Sequence, residues 1–64
     1  MNIPFAKLSG QARERFALDL LNPEDPLFHI VGKRGLDEIL GFDYNFDNKT
    51  ILEIREDIWR SSIS

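Results

Sequence analysis

A chain of 64 residues with no cysteine has few ways to hold one shape. Chains of this size bury only about 60% of the surface their unfolded state exposes, so a small core needs help. Without Cys there are no disulfides and no thiolate metal sites, and the one His leaves no ligand set for a closed structural zinc site. Tight packing, self-association or a partner must supply the rest. The length fits a single small domain, 1–64.

The remaining composition narrows the class. Hydrophobic residues are plentiful and the net charge is only -3, which favours a folded domain over disorder. No apolar run approaches the ~18 residues that a membrane span needs. The start, Met1-Asn2-Ile3-Pro4-Phe5, lacks the basic stretch and apolar block of a signal peptide, so a cytoplasmic address is expected. Eight Lys and Arg stand against 11 Asp and Glu, and only Lys33-Arg34 are adjacent. That dispersal disfavours a phosphate-binding face.

The local pattern is mostly helical. Ser9 is a helix N-cap, and Gly10 to Leu21 follows with Ala12, Phe16 and Leu20 at four-residue spacing, joined by Ala17 and Leu21. Arg15 and Asp19 are i,i+4 partners away from that face. Asn22-Pro23 ends the helix, because the residue before a proline resists helical angles. Asp25-Pro26 reads as a cap and first turn for a second short helix over about Pro26 to Lys33. The run Phe28-His29-Ile30-Val31 fits a buried strand equally well. Leu36 to Leu40 adds another turn or two, closed by Gly41.

The segment from 42 to 54 decides the fold class. Phe42 to Asp47 alternates apolar and polar residues, a strand signal, and Asp47-Asn48-Lys49 is a turn. From Ile51 onward a helix places Ile51, Leu52, Ile54, Ile58 and Trp59 on one side and Glu53, Glu56, Asp57 and Arg60 on the other. Arg55 breaks that pattern. Thr50 and Glu53 have the spacing of a capping box. The expected architecture is therefore all-α, a compact bundle of three or four short helices with a helix over about Ile51 to Ser61. The alternative is α+β with a hairpin at about 42–54.

Gly32-Lys33-Arg34-Gly35 is the most suggestive short motif. A Gly-x-x-Gly turn lets a nucleic-acid backbone approach closely, and basic central residues suit phosphate. Ile30 to Gly35 resembles the signature loop of KH domains. That resemblance implies single-stranded nucleic-acid binding through Gly32, Lys33, Arg34 and Gly35, although Glu38 stands where KH sequences usually carry an aliphatic residue. The competing reading is a helix C-cap with a solvated Lys-Arg turn. Asp43 to Asn48 places oxygen ligands at alternate positions and resembles the start of an EF-hand calcium loop. The twelfth position, which must be a bidentate Glu, is Ile54. No metal and no cofactor is expected.

Catalytic chemistry finds no foothold in the pattern. His29 sits between Phe28 and Ile30 with no oriented carboxylate, and reads as a packed or half-exposed core residue. Ser61, Ser62 and Ser64 fall in an expected frayed tail, and Ser9 is a cap. Asp37-Glu38 and Glu56-Asp57 diverge around their helices, as solvated faces do. The chain is expected not to be an enzyme. Its seven aromatic residues are many for so small a core. Tyr, Trp and Phe favour interface centres, so some of Phe5, Tyr44, Phe46 and Trp59 are expected to stay exposed and anchor a partner. The expectation is a small protein-binding regulator, inhibitor or accessory subunit that covers a larger protein or its own copy. The KH-like binder is the alternative, and an antitoxin a third reading suggested only by short acidic length.

Overall fold

The computed structural model describes residues 3–63 and contains four helices: α1 (Gly10–Leu20), α2 (Phe28–Arg34), α3 (Leu36–Leu40) and α4 (Ile51–Ile63). Two 3-10 turns, Phe5–Lys7 and Phe46–Asn48, complete it. Met1, Asn2 and Ser64 lie outside the described residues, and so do the expectations that rest on them. The expected caps start α1 and α4, but not α2. α2 begins at Phe28 rather than Pro26, with Leu27 before it and no side-chain cap, because the Asp25 carboxylate bonds within the preceding turn instead. The Ser9 hydroxyl accepts the Ala12 N–H at 3.1 Å and starts α1. Arg15 and Asp19 pair at 3.4 Å on its solvent side. At α4, Thr50 Oγ1 accepts the Glu53 N–H at 3.2 Å while Glu53 Oε1 accepts the Thr50 N–H at 3.0 Å. This reciprocal pair is the expected capping box, and it satisfies two amide groups that the helix itself leaves unbonded.

The fold is all-α, and no strand occurs among the described residues. The hairpin alternative at 42–54 is thereby overturned, as is the strand reading of Phe28 to Val31. Phe42 to Asp47 alternates for a different reason. Tyr44 and Phe46, two residues apart, both turn toward the core, while Asp43, Asn45 and Asp47 stay in solvent. No second extended segment runs alongside to bond this backbone, which tightens into the 3-10 turn instead. The two 3-10 turns hold each other, with the Phe5 N–H donating to the Lys49 carbonyl at 2.7 Å. α4 runs two residues beyond the expected end. Ser61 and Ser62 are helical rather than frayed, and the Ser62 hydroxyl donates to the Trp59 carbonyl at 2.7 Å.

The core is small. Phe16 and Leu20 of α1, Leu27, Ile39 of α3, and Ile54 and Ile58 of α4 are buried, the last two completely. Phe5, Tyr44 and Phe46 close one end of it. Phe5 meets Phe16 edge-on at 6.0 Å and Phe46 at 6.0 Å, and Tyr44 meets Phe46 at 4.9 Å. The face of α1 is narrower than the sequence suggested, because Ala17 and Leu21 are exposed with Leu18.

α3 is bracketed by two glycines in a backbone region that side chains avoid. Gly35 has φ 82° and ψ 154°, and Gly41 has φ 92° and ψ 154°. Gly35→Ala is expected to cost about 1–3 kcal/mol from backbone strain alone, since no atom crowds its added Cβ. Gly41→Ala should cost at least as much, because its Cβ would also meet Asp43 Oδ1 at 3.2 Å. Gly32 lies inside α2 with open space around it, so Gly32→Ala should stabilise by about 0.5–1 kcal/mol. Urea midpoints of the three variants test the assignment, and a uniform sign across them would refute it.

Candidate functional site

α4 carries apolar residues on two faces, where the sequence suggested one. At about 100° per residue, Leu52 is about 160° from Ile54, so both cannot face the same neighbour. Ile51, Ile54 and Ile58 turn inward. Leu52, Trp59 and Ile63 line up on the outer side, exposed to 61%, 51% and 69%. They border an open groove of about 530 Å³ whose other walls are Pro26, Leu27, Arg55, Glu56 and Arg60. Leu27 reaches this groove from the core, so the exposed stripe and the buried cluster are continuous.

The charges around the stripe differ in how they are held. Arg55, the residue that broke the helical pattern, is tied down. Its Nη1 donates to Asp25 Oδ2 at 3.0 Å and its Nη2 to Asp25 Oδ1 at 3.1 Å. Asp25 also accepts the Leu27 N–H at 2.9 Å. The Arg55 hydrogen bonds, helped by that amide, hold the Asp25 carboxyl below the usual carboxylate range. Arg60 reaches Asp57 only at 3.7 Å. Glu56 makes no ion pair among the described residues.

The four aromatic residues expected at a partner surface separate into two groups. Trp59 lies on the open stripe. Phe5, Tyr44 and Phe46 are half-buried against the chain's own core. Arg13 stacks on Phe5, its guanidinium carbon 5.5 Å from the ring centre, and donates to the Ala6 carbonyl at 2.7 Å. The Tyr44 hydroxyl donates to Asp57 Oδ2 at 2.5 Å, with Lys49 Nζ 3.8 Å from the same oxygen. Desolvation, then this bond to a carboxylate, pushes the Tyr44 pKa far up. The phenol therefore stays protonated and acts as a structural donor, not a base. The sequence places Leu52 and Trp59, with Ile63 near them, on the same side as the core-facing isoleucines, and it gives no sign that they form a separate outward stripe. It also gives no sign of Phe42, which is 93% exposed and lies outside the groove.

The other sequence candidates fall elsewhere. Gly32 is inside α2, and Lys33 and Arg34 form its last turn, so only Gly35 has the conformation of a loop glycine. Arg34 pairs with Glu38 at 3.7 Å. The sheet of a KH domain is absent among the described residues. His29 is exposed rather than packed in the core, its ring edge-on to Phe28 at 5.3 Å. Among the described residues, no three His, Asp or Glu side chains gather as a metal-binding group, and no helix is long and apolar enough to cross a membrane. Compared with known proteins, the sequence matches no family model, and no similar curated protein or solved structure is found.

Proposed function

We propose that this chain is a small protein-binding regulator, inhibitor or accessory subunit that works by covering another protein surface through the outer face of α4. The observation that carries this reading is the line of Leu52, Trp59 and Ile63 on a helix whose opposite side already fills the core. Trp and Arg are the side chains most enriched where interfaces concentrate their binding energy, and Trp59 stands between Arg55 and Arg60. A cytoplasmic setting belongs to the same reading. Phe5, Tyr44 and Phe46 contribute indirectly, by packing the end of the bundle that supports α4. Tyr44 serves this reading as a structural donor, its hydroxyl bonded to Asp57 of α4.

Photo-cross-linking in the producing cell tests the proposal. A benzophenone side chain at position 59 should give protein adducts, and one at position 18 should not. Leu18 is the matched control, since it is equally exposed but lies on α1. Equal yields at the two positions, or none at 59, would remove the reading.

A further inference from the structure

The outer face of α4 is complementary to itself. We propose that its occupant is a second copy of this chain, docked with the two α4 helices antiparallel about a two-fold axis at the height of Ile58. The inference rests on the reading of this face as a docking surface and names what covers it.

Position along the helix gives the first argument. Glu56 lies two residues before Ile58 and Arg60 two after, so an antiparallel partner brings Glu56 level with Arg60 of the second copy, twice over. Leu52 lies six residues before and Ile63 five after, so they come within about 1.5 Å of the same height across the pair. Trp59, one residue past the axis, lies beside its own symmetry mate.

Direction around the helix gives the second. Relative to Leu52, Glu56 and Arg60 stand about 40° and about 80° to one side, while Trp59 and Arg55 stand about 20° and about 60° to the other. A two-fold axis perpendicular to both helices keeps each flank facing its own copy. The Glu56–Arg60 pairs therefore form along one edge, the indoles meet Arg55 along the other, and Leu52 and Ile63 close the two ends. This arrangement gives Glu56 the ion-pair partner it lacks among the described residues and gives Arg60 a second carboxylate beside the long contact to Asp57.

Since α4 is only about 20 Å long, the interface is small. Self-association is therefore expected at micromolar to millimolar concentrations, as for other small interfaces.

Sedimentation equilibrium of the purified chain from about 10 µM to about 1 mM is the test, at concentrations chosen for an interface of this size. The wild type should dimerise. Glu56→Arg sets Arg opposite Arg, Arg60→Glu sets Glu opposite Glu, and each alone should weaken dimerisation by about tenfold or more. An equimolar mixture of the two variants restores opposite charges at both positions and should recover the dimer. Trp59 is the only tryptophan, so its emission should shift to the blue as the dimer forms. Both substituted positions are exposed, and far-UV circular dichroism checks that the variants remain folded. A wild type that stays monomeric throughout overturns the second copy as occupant. The docking reading then stands or falls separately, on whether position 59 cross-links to a different protein. A dimer that ignores the reversals, or a mixture that recovers nothing, overturns the antiparallel pairing.

Discussion

Ile54→Ala is expected to remove about 2–5 kcal/mol of stability, enough to unfold much of the population. A chain of this length has roughly 3–10 kcal/mol in total. Ile54 is fully buried, and Ile58, one turn on, is fully buried beside it. Deleting most of the side chain loses its transfer free energy and leaves a cavity. In a core with only six buried hydrophobic residues among those described, few neighbours are free to move in and fill it. Leu52→Ala is the matched control, two residues away on the same helix. Leu52 already contacts water over most of its surface, so its truncation should fall within about 0.5 kcal/mol. Urea denaturation followed by circular dichroism measures both. Comparable losses would mean that α4 does not divide into an inward and an outward apolar face, and the docking surface would lose its structural basis.

That division was only half legible in the sequence. Local hydrogen-bond chemistry could be read directly, because a cap and its target lie within three residues. Ser9 with Ala12 and Thr50 with Glu53 are both where spacing alone put them. Asn22-Pro23 stops α1 and Gly41 stops α3 for equally local reasons. Periodicity reported that α4 is apolar over about half its circumference. It did not report which part of that arc meets α3 and which is left to solvent, since that choice is made by residues far away in the chain. The aromatic residues show the same limit. Composition indicated a surplus of rings, but only the docking of the two 3-10 turns put Phe5 and Phe46 together and left Trp59 outside. Arg55 looked like an error in the helical pattern because its partner, Asp25, lies 30 residues earlier and had a sufficient local explanation as a cap.

Asp25→Ala should therefore cost more than an ordinary cap, about 2–3 kcal/mol near neutral pH, and that cost should shrink in acid. One carboxylate holds the turn that leads into α2 and bridges it to α4. It accepts the Leu27 N–H with one oxygen and the Arg55 guanidinium with both. Losing the bond to the Leu27 N–H alone accounts for about 1 kcal/mol. The two charge-assisted bonds add the rest, reduced because the guanidinium keeps partial contact with water. The pH dependence follows from the direction of the shift. The Asp25 carboxyl titrates lower in the folded chain than its unfolded value of about 3.9, so the unfolded chain binds the proton more readily. Its contribution is fully present above the unfolded value and is lost as pH falls through the folded one. Wild type and Asp25→Ala should differ most above about pH 5, and below about pH 4 the gap should narrow toward the bond to the Leu27 N–H that a neutral carboxyl still accepts. Glu53, also held low by the Thr50 N–H, destabilises both proteins in acid and cancels in the comparison. Asp25→Asn separates the two roles, because its amide oxygen still accepts the Leu27 N–H while the ion pair is gone. Its stability should fall between the other two at neutral pH and lie close to wild type in acid. Denaturation midpoints that stay parallel across this range would show that the Asp25–Arg55 bridge contributes nothing, and that α4 is positioned by its buried isoleucines alone.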